Sequence, residues 1–218
     1  MEHSLSENKF MSKTMIIMSL GVFITFLAAY YVEKSGILVT KTMFFVSALI
    51  ELAMVIALRP MAQKLSIAVA TIWFVVYSAI SGITFSFVFL AYDLGVIASV
   101  FLIAAIMFFC CAMIGITTKK DLSGMAQFLF MGLIGLLVMS IMSFFIPGLA
   151  ESKFIAFIGI LIFSGYTAYD MQKVKMIHEN AYNMDPDEVD RFVVVAALQL
   201  YLDFINLFLY LLKLARKK

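Results

Sequence analysis

Seven long apolar runs, all but the last two separated by short stretches, set the pattern of this chain. They are Thr14–Val32, Thr42–Leu58 (broken by Glu51), Leu65–Tyr92, Leu94–Thr118, Leu122–Ala150, Phe154–Tyr169 and Phe192–Leu212. A helix needs about 20 apolar residues to cross a bilayer, so the pattern predicts seven membrane-spanning helices. The third and fifth runs are long enough to tilt or project. The sixth is short unless its helix continues past Asp170. Pro60 and Pro186 fall between runs and Pro147 near the end of the fifth, and each predicts a helix end there, because the residue before a proline disfavours the helical region. No alternation of period two is present, which argues against a β-barrel. The one long polar connection runs from Gln172 to Asp190. Its first part, MQKVKMIHENAY, reads as a helical extension. Its acidic residues, Asp185, Asp187, Glu188 and Asp190, read as a solvated face or the start of the next helix. The predicted organisation is a tail over 1–13, a single seven-helix domain over 14–213 and a basic tail over 214–218.

Composition sharpens this picture. Of 218 residues, 64% are hydrophobic and 14% charged, against about 45–50% and about 25% in soluble domains. Mean hydropathy is +1.04. The fold class is therefore an all-α integral membrane protein. A net charge of +2 without a basic stripe excludes nucleic acid as a partner; the lipid bilayer is the implied one. Cys110 and Cys111 are adjacent in an apolar run, a poor arrangement for a disulfide and no metal spacing, so they read as small buried residues. No small-residue cleavage site follows the first run, so it reads as a retained helix.

Lys and Arg give the orientation. The N-terminal tail and the loops on its side hold Lys9, Lys13, Arg59, Lys64, Lys119, Lys120, Lys173, Lys175 and Arg191, whereas the opposite loops hold Lys34, Lys41 and Lys153. This predicts a multi-pass protein of the cell membrane with a cytoplasmic N-terminus. The basic end (Lys213, Arg216, Lys217, Lys218) then lies outside, against the same rule.

The residues able to carry chemistry are the acids kept inside the apolar runs. A charged carboxylate at the bilayer centre costs at least about 2.5 kcal/mol on insertion scales. Asp170 ends the sixth run and Asp203 lies within the seventh. On the last helix Gln199, Asp203, Asn206 and Tyr210 recur at helical spacing and form one polar seam on an otherwise apolar cylinder. Phe163, Tyr166, Asp170 and Lys173 share a face of the sixth helix, and Glu51 shares one with Ser47 on the second. Ser78, Ser81, Gly82 and Thr84 give the third helix a row of small residues, read as a close-packing face. Arg59, beside Pro60, reads as an interfacial anchor. Asp203 has two readings: a buried group that fixes helix register, or a functional one. Both histidines, His3 and His178, lie outside the runs, so no Ser–His or metal–His centre forms in the membrane and no enzyme is expected. The last run carries no mid-span lysine for a retinal cofactor, and none other is implied.

Four segments carry a resemblance. LQLYLDFINLFLYLLK (Leu198 to Lys213), SGYTAYDMQKVK (Ser164 to Lys175), GITTKKDLSGMAQFL (Gly115 to Leu129) and SGITFSFVF (Ser81 to Phe89) resemble, in order, the last helix, the sixth helix, the fourth-to-fifth junction and the third helix of the transmembrane Bax inhibitor motif family, in the compact form of its prokaryotic members. The resemblance implies a last helix surrounded by the other six. It also implies a calcium leak in which a pair of aspartates, here Asp170 and Asp203, responds to pH. A second-helix arginine that latches onto the sixth-helix aspartate has Arg59 as its nearest counterpart.

The physics of such a pair is general. Two carboxylates within reach in a low dielectric cannot both ionise cheaply, so they tend to share a proton. Calcium takes six to eight oxygens; Asp170 and Asp203, supported by Glu51, Asn206 and water, would make a weak site suited to an ion that must also leave. Gln199 and Tyr166 are the remaining polar neighbours. Naive counting puts the two aspartates roughly 10 Å apart in depth. They meet only if the sixth helix continues past Asp170 or the last begins well outside the core. The alternative function is a non-conducting regulator that binds another membrane protein, such as a protease or a survival factor.

Overall fold

The computed structural model describes residues 7–37, 40–61, 66–143, 145–146, 148–180 and 186–216. Among the described residues, seven α-helices stand where seven runs predict them: α1 (Glu7–Lys34), α2 (Lys41–Met61), α3 (Ile67–Ala91), α4 (Leu94–Thr117), α5 (Ala126–Met142), α6 (Lys153–Asn180) and α7 (Pro186–Ala215). There is no strand among the described residues. Among the described residues, six helices are long and apolar enough to cross a membrane, and the apolar part of α2, Thr42–Ala57, is shorter.

The boundaries differ from the apolar runs in instructive ways. Polar residues extend helices beyond the runs. α1 starts at Glu7, within the stretch expected to be a tail; Phe10 in that stretch is fully buried, as is Thr14 just after it. α6 continues well past Asp170 to Asn180, as the helical look of MQKVKMIHENAY predicts. α7 opens at Pro186, where a missing N–H costs nothing. Glu188 and Asp190 follow in its first turns, where the helix dipole favours acids. Pro60 lies inside the last turn of α2, not beyond it, and Pro147 lies outside the described residues. The fifth run breaks early: α5 ends at Met142, and Gly148, with φ of +81°, turns the chain into a short 3-10 segment, Leu149–Glu151.

The outward faces show which solvent these helices expect. Ile16, Leu20, Phe23, Leu27 and Tyr31 on α1 are all between 47% and 71% exposed, while Thr14, Met18, Val22, Thr25 and Ala29 face inward. Large apolar groups outside, with the hydroxyls turned inward, is the arrangement of a helix in lipid. Burial also ranks the helices. Of α7's apolar window 67% is buried, against 11% for the segment containing α5.

The chain forms two compact units. The first joins Met1–Leu94 to Lys175–Tyr201; the second joins Gly95–Val174 to Leu202–Lys218. In the first, α1 and α2 both pack on α3. A methyl added at Gly82 of α3 would sit 2.4 Å from the Ala28 Cβ, so α1 and α3 touch nearly backbone to backbone. Lys13 of α1 pairs with Asp190 of α7 at 2.5 Å. In the second unit, α6 meets α4 at Gly115, α5 at Gly165 and α7 at Gly159. The α4–α5 connection is tied to α6 by Gln172, whose side chain accepts from the Leu122 N–H and donates to the Lys120 carbonyl, both at 2.8 Å. The Ser123 backbone N–H beside Asp121, in that connection, holds its carboxyl below the usual carboxylate range.

Candidate functional site

Both aspartates belong to the second unit. Asp170 on α6 is 9% exposed and Asp203 on α7 is 5% exposed. Their carboxyl groups lie within electrostatic reach of each other, and α6 runs on past Asp170, which is one of the two conditions that let them meet. The Oδ2 atom of Asp203 is buried and has no hydrogen-bond partner among the described residues. A buried acceptor left unmatched is costly, by about 1–3 kcal/mol and more when charged.

Rigid packing fixes both carriers. Next to Asp203, Phe204 sets its ring edge-on against Phe101 and Phe108 of α4, with centroids 5.4 and 5.7 Å apart. Ahead of Asp170, α6 crosses α4 so closely that a Cβ on Gly115 would lie 2.2 Å from the Ala168 carbonyl oxygen. Behind it, Gln172 is clamped to the α4–α5 connection. Asp170 is thus bracketed by two fixed points within one helical turn.

The other residues singled out from the sequence fall as follows. Asn206 is half-buried and donates its Nδ2 to the Leu202 carbonyl at 2.8 Å, a bond within its own helix. Tyr166 lies beside Phe163, with ring centroids 6.1 Å apart. Tyr210, at the end of the polar seam, stacks on Phe163 at 5.8 Å and carries the Lys213 ammonium 5.1 Å above its ring. Gln199 is half-buried. The Arg59 side chain lies outside the described residues. Cys111 is half-buried and Cys110 exposed on the lipid-facing side of α4, so the expectation of two buried thiols is corrected.

Glu51 finds its hydrogen bonds on α3. Ser81 donates to its Oε2 at 3.1 Å, Thr84 donates to its Oε1, and Thr84 in turn meets the Ser47 hydroxyl at 2.8 Å. The small residues of α3, read from the sequence as packing, are here polar partners. The same unit holds a second polar chain that the sequence reading missed. Tyr201, fully buried, meets the Thr25 hydroxyl at 2.7 Å, and Thr25 reaches the Ser78 carbonyl at 2.9 Å. The rings of Phe74 and Tyr77 stand edge-on to Tyr201 at 5.5 and 5.8 Å. Tyr201 lies off the polar seam of α7, and Thr25 is a single polar residue in the middle of α1. Each was legible only as one hydroxyl in a run of apolar neighbours.

Chemically, two buried carboxylates that feel each other's charge resist ionising together, and each offers oxygen to a cation. Among the described residues no three His, Cys, Asp or Glu side chains converge on one point. A cation at the pair would therefore complete its shell with amide, carbonyl or water oxygens, as a weak, partly hydrated ion does.

Comparison with known proteins places the chain. The family described as "Inhibitor of apoptosis-promoting Bax1" matches residues 7–218. The inner membrane protein YbhL of Escherichia coli is 41% identical over 202 residues, 90% of this chain and 86% of that protein. An uncharacterised protein of Borreliella burgdorferi is 37% identical over 214 residues, 96% of this chain and 92% of its own length. An uncharacterised membrane protein of Streptococcus pyogenes serotype M1 is 36% identical over 214 residues, 95% of this chain and 92% of its own. With the resemblance of four motifs extended to nearly the whole sequence, and with its apolar helices in hand, the chain is a multi-pass membrane protein of the Bax inhibitor family.

Proposed function

We propose that this protein is a pH-sensitive calcium leak of the cell membrane, with Asp170 and Asp203 as its proton sensor and ion-pathway ligands. One observation carries the reading: a buried Asp203 carboxylate, with one oxygen unmatched among the described residues, within electrostatic reach of a second buried carboxylate. A fold that needed only to fix helix register would match that oxygen with a donor, because an unmatched one destabilises it. A proton or a cation supplies what the described side chains do not. A proton taken up between the two acids changes the charge on α7 at that depth, and a two-state helix contact biased by charge is a gate. The reading includes no catalysis. The Lys and Arg distribution supports a cytoplasmic N-terminus.

The test is calcium entry into liposomes holding the purified protein and a trapped indicator, followed across a pH series. The wild type conducts and its rate changes with pH. Asp170→Asn and Asp203→Asn, which cannot ionise, flatten that profile. Absence of flux at every pH, or a profile untouched by both substitutions, defeats the proposal and leaves the regulator that binds another membrane protein.

A further inference from the structure

Glu51 stands at the middle of the 21-residue α2, a depth at which an ion must be matched. Both its oxygens are engaged by hydroxyls, Ser81 on Oε2 at 3.1 Å and Thr84 on Oε1, and the Ser47 hydroxyl closes on Thr84 at 2.8 Å. Ser47 and Ser81 are 5% and 2% exposed. Among the described residues, the phenol groups of Tyr77 and Tyr201 are titratable groups close enough to feel its charge. No Lys or Arg pairs with Glu51 among the described residues. Among the described residues, two carboxylate and three hydroxyl oxygens therefore gather here with no basic side chain paired to them.

We propose that Glu51, Ser47, Ser81 and Thr84 form a site for one monovalent cation, sodium, sharing no residue with the aspartate pair. Charge count selects the ion. A single carboxylate with neutral oxygens balances one positive charge, whereas calcium sites gain affinity by adding carboxylates. A hydroxyl has one hydrogen and two lone pairs. Ser81 and Thr84 can turn their hydrogens away from Glu51 and present oxygen to an ion without moving the helices. The ion removes the cost of an unpaired carboxylate in the bilayer and fastens α2 to α3 through shared ligands.

Thermal unfolding of the full chain in nanodiscs tests this, titrating sodium chloride against choline chloride at constant ionic strength. A ligand that binds only the folded state raises stability with its concentration, so the wild-type midpoint rises saturably with sodium and not with choline. Glu51→Gln abolishes the rise. Ser81→Ala and Thr84→Val shift the half-saturating sodium concentration upward at least tenfold. Asp170→Asn with Asp203→Asn keeps it, so this result stands or falls separately from the calcium leak. Should Glu51→Gln fail to fold, broadening of the sodium-23 resonance by wild type and by Ser81→Ala reads the same site. No sodium-specific rise in the wild type overturns the proposal. So does an unchanged rise in Glu51→Gln, or its loss in the aspartate variant. A protonated-carboxyl infrared band that Glu51→Gln removes and that survives saturating sodium overturns it too, since a proton would then hold the place of the ion.

Discussion

Gly115→Ala is the substitution whose effect the structure determines most directly. The new methyl carbon would lie 2.2 Å from the Ala168 carbonyl oxygen and 3.0 Å from its carbonyl carbon, where an ordinary contact starts at 3.4 Å. The shortfall is 1.2 Å, and it is against backbone, which no rotamer change relieves. Overpacking of this kind costs about 1–3 kcal/mol; alanine's better helix propensity returns about 0.5–1 kcal/mol. The net loss is up to about 2.5 kcal/mol, toward the upper end because the clash is with backbone, and it lowers the midpoint of thermal unfolding by up to about 10 °C for a chain of this size. Gly135→Ala on α5 is the control, because nothing lies within 4 Å of its new methyl, and there the same propensity gain makes the change neutral or stabilising. Unfolding of both variants in one detergent decides the matter. Wild-type stability for Gly115→Ala, or an equal fall for Gly135→Ala, refutes the close α4–α6 crossing. A functional corollary follows, because Ala168 is two residues before Asp170. Gly115→Ala should shift the pH profile of calcium flux, and Gly135→Ala should not.

Gln172→Ala removes two hydrogen bonds to the α4–α5 connection, worth about 1–3 kcal/mol together, and the Leu122 amide should then exchange with solvent markedly faster by mass spectrometry. Thr25→Val leaves the Tyr201 hydroxyl buried without Thr25 and should cost about 1–3 kcal/mol, whereas Tyr201→Phe removes one interhelical bond and should cost nearer 0.6 kcal/mol. The double variant should be more stable than the sum of the two predicts, and strict additivity in unfolding midpoints contradicts the contact. Asp190→Asn breaks the half-exposed pair with Lys13, so it should cost no more than about 1 kcal/mol and the difference should shrink in 1 M salt.

Hydropathy made the element order legible because lipid imposes one rule on every span: about 20 apolar residues with their backbone bonds satisfied internally. It failed at the ends for the same reason. Once α1 and α6 leave the apolar layer, helix is still the cheapest way to satisfy their backbone, so Glu7 to Lys13 and Met171 to Asn180 stay helical on polar residues. The two aspartates were legible because a carboxylate among Leu, Phe and Ile is expensive anywhere. Their bracketing was not. Gly115 and Gln172 do their part through residues 50 or more positions away in sequence, Ala168 for the glycine and Leu122 and Lys120 for the glutamine, and a single sequence carries no trace of such pairings. Glu51 was visible as an acid, but its partners on α3 were visible only as small side chains.

That last misreading shows how packing and polar chemistry combine in a membrane. The small-residue row of α3 does let helices approach: Gly82 leaves no room for a methyl against Ala28 and the Thr25 carbonyl. The approach is what brings Thr25 to 2.9 Å from the Ser78 carbonyl. Thr25 has one hydroxyl hydrogen and two carbonyls to serve, Gly21 at 3.0 Å and Ser78. Its bond with Tyr201 must therefore run from the tyrosine, which fixes the direction of the chain as Tyr201 to Thr25 to backbone. Close packing and hydrogen bonding are here one arrangement, since neither hydroxyl reaches its partner unless the small residue lets the helices touch. In a bundle without water, a row of Ser, Thr and Gly should be read as both at once, and the deciding question is whether an acid such as Glu51 faces it from the next helix.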